Sequence, residues 1–219
     1  MPPPFIVAIT AFPGTGKTVT ANYLSRALDL PVLSSSDIRG DFGWAPRGSL
    51  ARESTPAEVE AALQRHSELA YGVLSSLIQE RLAMGHSVLV EGTFNTQEQR
   101  ESLYELQQGA PDSELIFVRC SCSRDHALSR IEHRRVLNSL GFRAGREVVD
   151  IRIYDRYRET FEDIREDKSL AGPNVSLIQY ETDNQDVNRL HGCAAGSQAA
   201  AVLHLVQALA GAVGTNQSD

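Results

Sequence analysis

The chain has 219 residues and a formal net charge of -7. This acidic balance argues against a dedicated partner with long, dense negative charge, such as duplex nucleic acid or an anionic membrane. Its three cysteines fit neither a disulfide framework nor a zinc-binding spacing, and no run of 18 apolar residues is present. We therefore expect one cytoplasmic domain over residues 1–213, followed by a disordered tail over 214–219.

The first predicted elements are a strand and a helix joined by a glycine-rich turn. Residues 5–10, FIVAIT, have the β-branched and aromatic character of a buried strand, and residues 17–28 carry apolar positions at helical spacing. The turn between them fits the phosphate-binding pattern G-x-x-x-x-G-K-[ST], except that Ala11 replaces the first glycine. Such a turn points backbone N–H groups outward at the positive end of a helix. The residues predicted to hold a nucleoside triphosphate are Pro13, Gly14, Thr15, Gly16, Lys17 and Thr18.

Two side chains of this turn have the chemistry that phosphoryl transfer requires. Lys17 is one of only two lysines in the chain, and its compact ammonium group suits the space between phosphate oxygens. We expect Lys17 to be catalytic as well as nucleotide-binding. The hydroxyl of Thr18 is the expected ligand for Mg²⁺. The alternative is a glycine-rich turn that arose for steric reasons alone.

Asp37 directly follows the second predicted strand, which lies near residues 31–35. A carboxylate at this position is a candidate general base, able to accept a proton from an incoming hydroxyl. Its alternative role is to cap the helix that follows. Arg39, two residues further on, either binds an anionic part of the acceptor or is exposed.

The middle of the chain predicts a long helix and two more strands. A loop over residues 40–56 is followed by a helix over 57–84 and a strand that ends at Glu91. Another helix over 96–108 and a fourth strand over 113–120 come next. Glu91 is expected either to support the water shell of Mg²⁺ or to bind the acceptor hydroxyl, and the alternative is a buried carboxylate tied to backbone. Thr93 is a second candidate acceptor ligand.

Two further helices, near 123–137 and 147–166, predict a lid. The connection between them contains Gly141 and Gly145, which could act as hinges. Arg130 and Arg134 are four residues apart and share one helical face. We expect Arg130 to bind the nucleotide and Arg134 to stabilise the transferring phosphate, whereas the alternative is an ordinary surface pair.

A fifth strand, NVSLIQYET, and an alanine-rich closing helix complete an alternating pattern of strands and helices. This alternation is typical of an α/β fold with a parallel sheet. In such sheets ligands bind at the carboxyl ends of the strands, so Asp37, Glu91 and the phosphate-binding turn should meet at one edge.

Four motifs in this order resemble the P-loop kinase group that includes polynucleotide 5'-hydroxyl kinase, zeta toxin and chloramphenicol phosphotransferase: AFPGTGKT, SSSDIR, VLVEGTFNTQEQR and RIEHRR. The resemblance covers about residues 5–180. It implies a three-layer P-loop NTPase sandwich with a five-stranded parallel sheet and a helical lid. It also implies that Asp37 is the general base, that Arg134 contacts the transferring phosphate, and that Glu91 is the acidic residue closing strand three.

The resulting hypothesis is a Mg²⁺-dependent kinase that moves the γ-phosphate of ATP or GTP to a hydroxyl of a small molecule, a nucleotide sugar or a nucleic acid end. The acidic charge favours a small acceptor over a long polynucleotide. Three alternatives stay open: a nucleoside or nucleotide kinase, a nucleotide-dependent switch or assembly ATPase, and a nucleotide-binding module without catalysis.

Overall fold

Strands and helices alternate along the chain. The structure, a computed structural model, describes residues 3–44, 55–139, 151–184, 186–191 and 197–215. The elements in chain order are β1 (Phe5–Ala11), α1 (Lys17–Leu28), β2 (Val32–Ser34), α2 (Ser35–Asp41), α3 (Pro56–Ala83), β3 (Val88–Gly92), α4 (Gln97–Gly109), β4 (Glu114–Ser121), α5 (Arg124–Ser139), α6 (Ile151–Glu159), β5 (Val175–Glu181), β6 (Asp186–His191) and α7 (Gln198–Thr215). Two short 3-10 turns, Ile164–Glu166 and Lys168–Ala171, lie between α6 and β5.

Six strands in the described residues form one sheet in the order β2-β3-β1-β4-β5-β6. The first five strands in this order are parallel, which confirms the predicted five-stranded parallel sheet. The sequence pattern did not predict β6, which pairs antiparallel with β5. β6 covers the edge that β5 would otherwise expose, and its polar sequence DVNRLH is typical of an edge strand rather than a buried one.

Alternating side chains of the strands form a core on each face of the sheet. Ile6 and Ala8 of β1 face the cluster that contains residues of α3 and α4. Val7 and Ile9 face the cluster that contains residues of α1 and α7. Because helices cover both faces, the central residues of the inner strands are apolar on both faces, as expected for a parallel sheet. None of the helices in the described parts of the chain combines the length and apolar character that a membrane crossing needs.

The helix boundaries follow the sequence signals except at the end of α6. The long helix α3 begins with a capping box formed by Thr55 and Glu58, close to its predicted start. The second lid helix was predicted to reach residue 166, but α6 ends at Glu159. The chain leaves the helix there because the amide of Glu162 donates to the carbonyl of Asn95, at 3.0 Å, instead of to a helical carbonyl. Most of the predicted loop 40–56 and both predicted hinges, Gly141 and Gly145, lie outside the described residues.

A fully buried ion pair ties α4 to the 3-10 turns. Arg100 binds both carboxylate oxygens of Asp167, at 2.6 and 2.7 Å, and donates to the carbonyl of Phe94 at 2.9 Å. The hydroxyl of Tyr104 donates to the same carboxylate at 2.9 Å. Burial raises the pKa of Tyr104, and the Asp167 charge raises it further, so the phenol stays protonated. This network holds the segment after α6 against the loop that follows β3.

Replacing Arg100 with methionine is expected to lower the free energy of unfolding by about 3–5 kcal/mol, because it leaves the Asp167 carboxylate buried without its counter-charge. Denaturant unfolding measures this change. Arg26→Met, at an exposed position in the last turn of α1, is the matched control and should change stability by less than about 0.5 kcal/mol. Equal stability of the two variants would contradict the assigned role of the network.

Candidate functional site

The turn between β1 and α1 has the backbone shape that an anion-binding loop requires. Gly14 and Gly16 adopt left-handed φ angles of 84° and 97°, which favour glycine. Gly16 is the N-cap of α1 and supplies no side-chain cap, so the first-turn amides of the helix have no capping side chain. Ala11 lies inside β1 and pairs with Cys120, which explains why a glycine is not needed there. The predicted strand, turn and helix are confirmed.

Gly14 also packs too closely against α5 to accept a side chain. A Cβ atom at Gly14 would lie 2.5 Å from the carbonyl oxygen of Ala127. Gly14→Ala is therefore expected to lower unfolding free energy by about 1–3 kcal/mol and to weaken nucleotide binding, since the loop must move. Gly85→Ala is the matched control, because Gly85 has a similar φ of 73° but open space around its Cα. Thermal unfolding and nucleotide titration compare the two, and an equal effect on nucleotide binding would contradict this account of the loop.

Glu91 contacts both polar side chains at the start of α1. Its Oε1 accepts from Lys17 Nζ at 3.0 Å and from Thr18 Oγ1 at 2.9 Å. Glu91 stands at the end of β3, in register with Ile9 of β1, and is only 6% exposed. The structure thus brings Glu91 to Lys17 and Thr18, which lie 74 and 73 residues earlier in the sequence. It ties the Glu91 carboxylate to side chains of the loop rather than to backbone.

Asp37 lies in the first turn of α2, at the carboxyl end of β2. The helix cap is Ser34, whose Oγ accepts from the amide of Asp37 at 3.4 Å, so the Asp37 carboxylate is not the cap. Its side chain is exposed. Ser34 is in register with Glu91, which places Asp37 on the same sheet edge as the phosphate-binding loop. An exposed carboxylate at this position can accept a proton from a bound molecule.

The loop after β3 is held by a tyrosine for which the sequence carries no distinguishing signal. The Tyr71 hydroxyl, from α3, accepts from the amides of Thr93 and Phe94, each at 3.1 Å. Burial raises the pKa of Tyr71, whereas the nearby charge of Arg39 acts in the opposite direction. Arg39, on α2, is half-buried. Thr93 is also half-buried, and its carbonyl accepts from Thr10 Oγ1 at 2.7 Å.

Arg130 of α5 supports the phosphate-binding loop from behind. Its guanidinium donates to the carbonyl of Gly14 at 3.3 Å and to the hydroxyl and carbonyl of Thr182, at 2.9 and 3.3 Å. The Thr182 hydroxyl donates in turn to the carbonyl of Thr15 at 2.9 Å. Here Arg130 binds the protein's own backbone, and its predicted contact with a nucleotide stays a prediction. Arg134 is half-buried one helical turn further along α5.

Thr182 is a site residue that sequence reasoning missed. It directly follows β5, and its amide donates to the carbonyl of Ser121 at the end of β4 at 2.8 Å. The signal that identified Asp37 and Glu91, a polar side chain at the carboxyl end of a parallel strand, applies equally to Thr182. Pro13 is half-buried within the loop and adds no side-chain hydrogen-bonding group.

A model of the family AAA_33, described as an AAA domain, matches residues 10–162. This range begins in β1 and ends just after α6, and it contains the phosphate-binding loop, Asp37, Glu91, Arg130 and Arg134. It covers more than half of the chain.

A curated relative and two solved structures are similar to this chain. A UPF0200 protein of Aeropyrum pernix is 33% identical over 94 residues, which are 42% of this chain and 48% of the relative. The match thus spans about half of that relative's length. A Chloroflexus aurantiacus protein named as a candidate kinase has a TM-score of 0.60 and 21% identity, over 95% of this chain and 98% of its own. A sugar kinase from a Janibacter species has a TM-score of 0.53 and 15% identity, over 82% and 86%. These two likenesses show the fold.

Proposed function

Because the chain belongs to the AAA_33 family of AAA domains, we propose that its phosphate-binding loop holds a nucleoside triphosphate, ATP or GTP, and that the protein transfers the γ-phosphate to a hydroxyl group. The acceptor is a small molecule, a nucleotide sugar or a nucleic acid end. Within the P-loop kinases, the protein would belong with polynucleotide 5'-hydroxyl kinase, zeta toxin and chloramphenicol phosphotransferase, whose motifs this sequence resembles. The kinase names of both similar structures support the same reaction class.

One observation carries the proposal: an exposed carboxylate, Asp37, shares the sheet edge with the cluster of Lys17, Thr18 and Glu91. A protein that only binds or hydrolyses nucleotide has no need of an acceptor-side base at the end of β2. A phosphotransferase needs one, because the attacking hydroxyl must lose its proton.

The donor set of Thr18 and Glu91 fits a magnesium ion. Hydroxyl and carboxylate oxygens are the ligands that this hard cation takes together with nucleotide phosphates. The Thr18 hydroxyl gives its hydrogen to Glu91, which leaves its oxygen lone pairs available. In this role Thr18 would hold the ion, Glu91 would hold Thr18 and the water around it, and the ion would neutralise charge on the phosphate oxygens.

Each site residue has one role in the proposed transfer step. Asp37 accepts the proton of the acceptor hydroxyl, and the oxygen forms a bond to the γ-phosphorus. The bond from that phosphorus to the bridging oxygen breaks, and the nucleoside diphosphate leaves with the electron pair. Lys17 leaves Glu91 for the phosphate oxygens, and the loop amides hold the β-phosphate. Arg39 and Thr93 orient the acceptor.

Arg134→Ala is expected to lower kcat about 10³-fold with little change in nucleotide affinity, because a lid arginine stabilises charge that develops on the equatorial oxygens during transfer. Steady-state kinetics and nucleotide titration measure the two quantities separately. Arg135→Ala is the matched control, since this neighbouring arginine is exposed and pairs with Glu132 at 2.8 Å. A similar kcat for the two variants would remove Arg134 from the mechanism.

The direct test is transfer of a labelled γ-phosphate from ATP, and separately from GTP, to a panel of sugars, nucleosides, nucleotide sugars and oligonucleotides. We expect label in one class of organic product, formed about 10²–10⁴-fold more slowly by the Asp37→Asn variant. Label recovered only as inorganic phosphate would indicate a nucleotide-dependent switch or ATPase. Nucleotide binding without turnover would indicate a binding module.

A further inference from the structure

A cavity of about 280 Å³ opens beside the phosphate-binding loop and takes no part in the mechanism above. Its floor is formed by the ends of β1 and β4, with Thr10 and Arg119 on the sheet face that carries α3 and α4. Its walls are aromatic. The Phe12 ring meets the rings of Tyr154 and Phe161 edge-on, with centroids 6.0 and 5.2 Å away.

The cavity carries an excess of positive charge. The Arg119 guanidinium lies 3.9 Å from the centre of the Phe161 ring, and the side chain is only partly exposed. Its carboxylate neighbour, Asp163, is 3.7 Å away and is bound more closely by Arg165. The Asp163 carboxylate is therefore the shared counter-ion of two guanidinium groups. Arg158 adds a further positive charge to the lining.

A third arginine at the rim, Arg124, is already neutralised, since it forms two hydrogen bonds of 2.9 and 2.8 Å with Asp155. Among the residues that the structure describes, the remaining positive charge of the lining lies on Arg158 and on Arg119, which shares its counter-ion with Arg165. A half-buried guanidinium stacked on an aromatic ring, with one shared counter-ion, is a receptor for a carboxylate or a phosphate group.

The cavity also reaches both parts of the proposed active site. Thr15 of the phosphate-binding loop lines it directly. Thr10 lines it as well, and the Thr10 hydroxyl binds the carbonyl of Thr93, in the loop expected to contact the acceptor. Asp37 follows β2, which is two strands from β1 in the sheet. Arg119 is in β4, one strand further from β2. At about 4.8 Å per strand, three strands span on the order of 14 Å, a distance that one extended small molecule can cross.

We propose that this cavity binds an anionic group of the acceptor, a carboxylate or a phosphate, held by Arg119 with Arg158. The acceptor is then an alcohol that carries a negative charge about 14 Å or less from its reactive hydroxyl. The aromatic walls take the ring or carbon chain next to the charge. This assignment deepens the proposed function and depends on it for the identity of the ligand as an acceptor.

The first test measures binding at the cavity without any reaction. Benzoate and its neutral analogue benzamide are titrated into the full-length protein with the phosphate-binding loop saturated by a non-hydrolysable ATP analogue and Mg²⁺. Wild-type protein should bind benzoate more tightly than benzamide, and Arg119→Gln should weaken benzoate binding by about tenfold or more while leaving benzamide unchanged. Arg119→Lys keeps the charge and should retain most of the preference. Arg158→Gln, at an exposed position, gives a smaller loss should Arg119→Gln fail to fold.

Lys17→Ala serves as the control for anion binding at the phosphate-binding loop, and without added nucleotide it should bind benzoate as wild-type protein does. Loss of benzoate binding in Lys17→Ala but not in Arg119→Gln would overturn the inference. Equal binding of benzoate and benzamide to wild-type protein would also overturn it.

The second test uses labelled phosphate transfer to matched acceptors. Glucose is compared with glucuronate, and uridine with uridine monophosphate, so that the carboxylate and the phosphate are tested separately. The charged member of one pair should be preferred, and Arg119→Gln should raise its KM at least tenfold with the KM for ATP unchanged. If a pair of acceptors receives the labelled phosphate and its charged and neutral members receive it equally, the cavity assignment is overturned and the kinase proposal stays intact. Arg119-dependent benzoate binding without transfer to any acceptor would support the anion site and contradict the kinase proposal.

Discussion

Lys17→Ala is expected to abolish phosphate transfer and to weaken ATP binding about 100-fold, equivalent to roughly 3 kcal/mol. The Lys17 ammonium group is the positive charge that the sequence motif predicts beside the phosphates. It lies at the start of α1, next to the amides of the phosphate-binding loop. It contacts the Glu91 carboxylate at 3.0 Å, and we expect it to move from there to the phosphate oxygens. Calorimetric titration of ATP measures the loss.

Two controls separate this effect from a general loss of stability. Lys168→Ala removes the only other lysine, which is exposed in the second 3-10 turn, and should bind ATP as wild-type protein does. The double variant Lys17→Ala/Glu91→Gln removes the buried carboxylate that the single change leaves unpaired, and it should recover stability without recovering ATP binding. Full ATP affinity in the single variant would contradict the phosphate-binding role of the loop.

Asp37→Asn should change ATP affinity less than about twofold while lowering the transfer rate by 10²–10⁴-fold, because an amide cannot accept the hydroxyl proton. The side chain is exposed and Ser34 caps the helix, so stability should change by less than about 0.5 kcal/mol. Single-turnover transfer of labelled phosphate, compared with ATP titration, separates chemistry from nucleotide binding.

Asp41→Asn is the matched control for the Asp37 variant, since Asp41 is an exposed carboxylate at the other end of α2. It should transfer phosphate at the wild-type rate. An equal loss of ATP binding and transfer in Asp37→Asn would indicate a structural role for the carboxylate instead.

The sequence predicts those parts of the molecule that local pattern determines. The phosphate-binding loop is a short motif between a strand and a helix, and the alternation of elements determines the parallel sheet. The placement of Asp37 and Glu91 in the site is predicted by a topological rule, because side chains at the carboxyl ends of parallel strands meet at one edge of the sheet. The observed contact of Glu91 with Lys17 and Thr18 is the geometric result of that rule.

What the sequence does not predict depends on contacts between distant segments. Tyr71 is one residue of a long helix, and only the packing of α3 on β3 brings its hydroxyl to the following loop. The contacts of Arg130 with Gly14 and Thr182 depend on the packing of α5 against the phosphate-binding loop, while its predicted contact with nucleotide stays a prediction. The end of α6 is set by the carbonyl of Asn95, 67 residues earlier than Glu162, which no local helix signal contains.

The central claim is that the loop from Pro13 to Thr18 holds a triphosphate where Asp37 can present a hydroxyl to it. The most direct measurement is a crystal structure with Mg²⁺ and a non-hydrolysable ATP analogue. The account predicts the β- and γ-phosphates in the loop, with Lys17 moved from Glu91 to the phosphate oxygens and the γ-phosphate on the Asp37 side. Phosphates bound elsewhere on the chain, or a loop left empty at saturating nucleotide, would contradict it.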